Sequence, residues 1–167
     1  MDPFRKLTGI AAPIDEPNVD TNQICPTRFN KVPRGPGHPN ILFHDRRFHA
    51  DGTEKEHILN AEPFNRASII VSDRNWGCGS SRESAVYALY EFGIRCVIAP
   101  SFADIHANNC SKNGLLTVVL PEKTAAGLRK QLRERPGASI GVDLEAQTVS
   151  GPDGAVHRFD IHPVRKK

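Results

Sequence analysis

The sharpest alternation of apolar and polar positions lies in the middle of the chain. Residues 67–72, ASIIVS, form a short apolar run rich in β-branched side chains that stops at the polar DRN. Such a run predicts a buried strand. Past the glycines that follow, Ala85, Val86, Ala88, Leu89 and Phe92 recur at the three- and four-residue spacing of one helical face, predicting a helix over residues 81–92. Gly93 stands where a left-handed C-terminal cap is needed. IRCVIAP, closed by proline, predicts another strand, so the segment reads as a βαβ unit with parallel strands and a right-handed crossover. SFADIHANNCSKNG then predicts a short helix with Ser101 and Asp104 at its start, LLTVVLP a third strand, and EKTAAGLRKQLRER a second amphipathic helix.

The flanking regions are less regular. LTGIAAPID reads as a short strand entering a turn, and NVDTNQICP as a polar segment ended by Pro26. Residues 26–40 carry four prolines and two glycines, which oppose helix and strand and predict a long loop, mobile or functional, bearing Arg28 and Arg34. Residues 44–62 are polar and without strong periodicity. After Pro136 and Gly137, SIGVDLE and TVSGPDGAVHRFDI predict strands, with GPDG the turn of a hairpin. The whole predicts a single α/β domain over residues 1–167: a mainly parallel sheet with helices, joined by an antiparallel element built from the two ends of the chain. No internal repeat interrupts it.

Composition narrows the function classes. A formal charge of +3 spread along 167 residues, apart from the terminal VRKK, does not make a nucleic-acid footprint. The start has no signal-peptide apolar run and nowhere do about 18 apolar residues follow one another, so no membrane association and a cytoplasmic location are expected. The cysteines at 25, 78, 96 and 110 have no CxxC pairing, which argues against a structural zinc or self-contained iron–sulfur site and for reduced thiols.

The chemistry concentrates in residues 73–82. Beyond the carboxyl end of a predicted strand, Gly77 and Gly79 permit close backbone approach, and the start of a helix favours an anion there. Arg82 adds a two-pronged donor for a carboxylate. Ser80 and Glu83 also stand at the spacing of a capping box, so the serine has a purely local alternative role. GCGSSR matches GxGxxG only in its first two glycines and no GKS or GKT follows, which disfavours a dinucleotide and excludes a P-loop. A small carboxylate or phosphate remains. Cys78 reads as a small filler or a thiol at a helix start, His106 as structural or solvated, and Trp76 as packing the loop or a subunit interface.

The run GCGSSRESAVYALYEFGIRCVIAPSFADIHANNCSKNGLL, with NVDTNQICPTRF, LFHDRRF and VDLEAQTV, resembles the 3-isopropylmalate dehydratase small subunits of the aconitase superfamily over roughly residues 7–162. The resemblance implies a swivelling β/β/α domain that docks on a large subunit carrying a four-iron, four-sulfur cluster. It implies no cofactor in this chain and a small hydroxy-dicarboxylate as substrate, dehydrated and rehydrated. By position it implies that Ser80 is the base that removes a carbon-bound proton, that Arg82 and Arg34 hold substrate carboxylates, and that Ser81 and Asn22 bind substrate nearby. The Pro/Gly loop would close over that substrate.

Asn22 stands where the family usually has aspartate and Ser84 where it usually has histidine, and the chain stops at Lys167 where bacterial relatives commonly continue. Dimethylmalate and citraconate-type hydro-lyases, and a non-catalytic carboxylate-binding regulatory module, are the alternatives.

Overall fold

In the computed structural model, which describes residues 5–33, 40–79 and 83–160, seven strands form one mixed sheet in the order β4-β3-β2-β1-β5-β6-β7. The strands are β1 (Lys6–Pro13), β2 (Ile69–Val71), β3 (Cys96–Ala99), β4 (Leu116–Val119), β5 (Ser139–Asp143), β6 (Thr148–Ser150) and β7 (Val156–Arg158). The helices are α1 (Thr21–Ile24), α2 (His44–Arg47), α3 (Glu83–Phe92), α4 (Asp104–Lys112) and α5 (Glu122–Glu134).

The sheet has a parallel half and an antiparallel half, and β1 belongs to both. Its later residues pair parallel with β2, Ala11 opposite Ile69 and Pro13 opposite Val71, while its earlier residues pair antiparallel with β5, Lys6 opposite Asp143 and Ile10 opposite Ser139. The β2–α3–β3–α4–β4 succession follows the predicted alternation, and the hairpin of β6 and β7 closes where GPDG foretold, with Gly154 at φ 86°.

Side chains on successive strand residues point to opposite faces, so the parallel strands bury both. Ala12, Ile70, Val97 and Ala99 face Ala85, Val86, Ala88 and Leu89 of α3. Ala11, Ile69, Val71, Cys96 and Ile98 face Ala125, Leu128 and Leu132 of α5. This two-sided burial is why the strands read as unbroken apolar runs. Gly93, at φ 119°, ends α3 as its cap.

Two features go beyond the sequence reading or correct it. Residues 44–62, polar and without strong periodicity, hold α2 and the one-turn 3-10 helix Ile58–Asn60, and a further turn, Phe64–Arg66, follows. Leu42, Phe43 and Leu59 are fully buried. Arg47 is buried too; its Nε donates to Asn60 Oδ1 at 2.8 Å, and its guanidinium stacks near the rings of Phe48 and Phe92. The described part of the 26–40 loop likewise contains a 3-10 turn, Thr27–Phe29. Secondly, α4 starts at Asp104 behind Ala103 without a side-chain cap, and Ser101 Oγ instead accepts a hydrogen bond from Asn75 N.

Candidate active site

The carboxyl ends of β1, β2 and β3 come together at one edge of the sheet, and the three segments leaving them stay hydrogen-bonded to one another. Gly77 N donates to Val19 O at 2.8 Å and Thr21 N to Cys78 O at 2.9 Å. On the other side Trp76 N donates to Ser101 O at 3.1 Å and Ala103 N to Trp76 O at 2.9 Å. Parallel bridges pair Asp20 with Cys78 and Trp76 with Phe102. The glycine segment is therefore a narrow continuation of the parallel sheet, held on both edges. It climbs outward: Trp76 and Gly77 are buried, Cys78 half-buried and Gly79 exposed.

Local conformation explains the residue types. Asn75, Gly77 and Gly79 have φ of 62°, 81° and 90°, a region that asparagine tolerates and glycine adopts without steric cost. Gly77 has a second requirement. A Cβ there would lie 2.3 Å from Cδ2 of His106, so only glycine lets the backbone lie against that ring.

The exit of β2 into this segment is pinned from below. Ser72 Oγ donates to Ile14 O at 3.0 Å, and Arg129 of α5 donates through Nη1 to Ser72 O at 2.6 Å and through Nε to Asp15 Oδ1 at 2.9 Å. Sequence reasoning missed Arg129, because nothing in the amphipathic pattern of α5 marks which of its cations turns inward.

Of the predicted site residues, Ser80, Ser81, Arg82 and Arg34 lie outside the described residues, as does the Ser80 half of the capping box. Asn22 is placed one residue after the Thr21–Cys78 bond, exposed, with its Oδ1 accepting from both Thr27 N and Thr27 Oγ1 at 3.0 Å. An aspartate oxygen would accept the same two bonds, so asparagine here holds the turn without adding a negative charge. Ser84 Oγ donates to Asn30 Oδ1 at 2.8 Å, tying the first turn of α3 to the approach of the Pro/Gly loop. Cys78 contributes backbone bonds, and Trp76 packs inward against Phe43 with ring centroids 6.1 Å apart; it does not serve as an exposed interface residue.

Two buried nitrogens beside the segment, Trp76 Nε1 and His106 Nδ1, have no hydrogen-bond partner among the described residues. Each such group costs about 1–3 kcal/mol. Burial lowers the His106 pKa to about 4, and burial with the charges of Arg46 and Arg47 lowers that of His57 to about 4. Both imidazoles are neutral in the folded chain, whereas the unfolded chain takes up protons below about pH 6.5. Stability is therefore complete above that pH and declines as pH falls toward the folded value. For His106 the expected loss between about pH 7 and about pH 5 is roughly 2 kcal/mol. Urea unfolding at the two pH values checks this, and His106→Gln should flatten the difference by that share.

A profile of the aconitase C-terminal domain matches residues 1–123, and one described as LeuD_N matches residues 126–163. The 3-isopropylmalate dehydratase small subunit of Parvibaculum lavamentivorans is 49% identical over 167 residues, covering 99% of this chain and 83% of the relative. That of Roseobacter denitrificans is 48% identical, covering 100% of this chain and 84% of the relative. The crystal structure of 3-isopropylmalate dehydratase (leuD) from Methanocaldococcus jannaschii shares the fold, with a TM-score of 0.67 at 22% identity over 96% of this chain and 86% of that one.

Proposed function

The chain belongs to the aconitase C-terminal domain family and, within it, to the 3-isopropylmalate dehydratase small subunits, and from this premise we propose that it completes the active site of a two-subunit hydro-lyase. The reaction is the interconversion of 2-isopropylmalate and 3-isopropylmalate by dehydration and rehydration, in leucine biosynthesis. The observation that carries the reading is the glycine segment, laced between residues 19–21 and 101–103, which brings the chain out at Gly79 directly ahead of the serines and α3.

In this reading Ser80 holds and returns the carbon-bound proton. A serine hydroxyl is a base only as its alkoxide, so the ionised form needs a positive environment. The amino end of α3 and the Arg82 guanidinium provide one. Arg82 and Arg34 hold the carboxylates of the dianionic substrate, Ser81 donates a hydrogen bond, and Asn22 contributes to substrate binding without adding negative charge. That neutrality suits a site that must gather two carboxylates.

Among the described residues no three His, Cys, Asp or Glu side chains converge as metal ligands, and burial pushes the Cys96 thiol away from the ionised form a metal needs. The described residues do not fit a cluster; in this reading, as the family resemblance implies, a large-subunit partner would carry the four-iron, four-sulfur group. When bound there it supplies a Lewis acid for the departing hydroxyl. We place the assembly in the cytoplasm on the strength of this activity. No helix among the described residues is long and apolar enough to cross a membrane.

The test is turnover. The chain is co-expressed with candidate large subunits, the cluster reconstituted without oxygen, and the unsaturated acid followed by ultraviolet absorbance. Isopropylmalate should react only when both chains are present, and ahead of citramalate and dimethylmalate. Preference for dimethylmalate or citramalate would move the substrate within the class. Dicarboxylate binding without turnover in every reconstituted pair would replace the enzyme with a regulatory carboxylate-binding module.

A further inference from the structure

Beneath the glycine segment lies a group that the proposed chemistry does not use. His106, on the inner side of α4, has no solvent exposure, and its ring lies flush against Gly77: the position a Cβ would occupy is 2.3 Å from Cδ2 and 2.4 Å from Cγ. Its Nε2 is 3.5 Å from Cys110 Sγ, one turn further along the same helix, while Nδ1 has no partner among the described residues. An apolar side chain would fill this space without a stranded nitrogen.

The hydrogen bonds that hold the segment, Gly77 N to Val19 O and Trp76 to Ser101 and Ala103, run within the plane of the strand extension. In-plane bonds resist sliding and do little against displacement along the normal. At Gly77 the atoms met in the direction a Cβ would take are those of His106. The Cγ–Cδ2 side of the ring abuts the bare glycine, and a side chain of different shape there would shift it.

We propose that His106 is a positioning residue for the serine-bearing motif: its ring is the platform under Gly77 that sets the direction in which the chain leaves Gly79. The inference rests on the reading of Ser80 as the base, because a displaced segment matters most for a group that must meet one substrate proton. Burial also keeps the imidazole neutral, its pKa lowered to about 4, so it adds no charge beneath the segment.

Trp76, the chain's one tryptophan, adjoins Gly77 and reports the position of the segment without any substrate. In the two-subunit enzyme, His106→Ala should lower kcat about tenfold to a hundredfold through misplacement, with KM within about twofold and assembly unchanged. His106→Gln, which keeps more of the volume, covers the case in which the alanine variant folds poorly. In the full chain alone, His106→Ala should shift Trp76 emission to the red.

A double-mutant cycle with Gly77→Ala isolates the contact. The positive-φ strain of alanine is common to both arms and cancels, so Gly77→Ala should cost less in the His106→Ala background. Additive effects, or a lower melting temperature with kcat per folded enzyme held within about twofold, would overturn the proposal. If no large subunit gives turnover with the unmodified chain, the enzyme reading fails. Trp76 emission still decides the platform: a shift supports it and an unchanged spectrum sinks it.

Discussion

Replacing Ser80 by alanine should leave a folded chain that still joins its large subunit and binds isopropylmalate with little change in KM, while kcat falls by roughly a thousandfold. The reason is the asymmetry of the proposed roles. Arg82 and Arg34 bind carboxylates that are present before and after the chemical step, whereas the serine oxygen acts on a proton only as that proton leaves carbon. A group engaged only at that moment lowers the barrier without strengthening ground-state binding. If Ser80 is instead the cap of a Ser-x-x-Glu box with Glu83, the same substitution costs about 1 kcal/mol of helix stability and turnover stays near that of the unmodified enzyme. Steady-state kinetics beside urea unfolding separates the two.

Trp76→Ala is the second large effect, and it falls on stability first. The indole is fully buried and meets Phe43 nearly edge-on, at an interplanar angle of 75°. Truncating a buried aromatic of this size costs about 3–5 kcal/mol through lost burial and the cavity left behind. For a chain of this length that is roughly 10 °C in melting temperature. Trp76→Phe should behave differently. It keeps a ring against Phe43 and deletes the unpaired Nε1–H, so the lost volume is offset by a removed desolvation cost of about 1–3 kcal/mol. Calorimetry on the two variants should show a large drop for alanine and a small change for phenylalanine. Equal drops would mean that Nε1 is satisfied in solution.

These residues mark what sequence could and could not show. The β2–α3–β3–α4–β4–α5 series was legible because each element buries an uninterrupted run or a helical stripe, and such patterns are local. Residues 14–66 were not, because their helices are one turn long and are stabilised by tertiary partners: Arg47 is held by Asn60 and two aromatic rings, and Leu59 by the core. No periodicity announces a single turn. The division of β1 between two partners was equally hidden, since LTGIAAP carries no sign of where one pairing ends and the other begins.

At the site, the glycines and serines announced themselves by type, and the family resemblance supplied roles. The lacing of three segments did not appear, because backbone bonds leave no residue-type signature. Asn22 showed its identity and not its attachment to Thr27. The available signal for His106 was its place in SFADIH, one turn before Cys110, but only the structure reveals that Gly77 has no side chain because this ring occupies the space.

The double allegiance of β1 also bears on how the protein is made. Its later residues find β2 midway through synthesis, while its earlier residues await β5, which leaves the ribosome after the entire parallel half. Until then an unpaired edge is displayed to the crowded cell, and contacts of such long sequence separation close slowly. The nascent subunit thus passes through a stage with a nearly finished catalytic edge and an open flank. Slower translation through residues 120–140 should therefore prolong the exposure of that flank and raise the fraction of chain that pellets as aggregate.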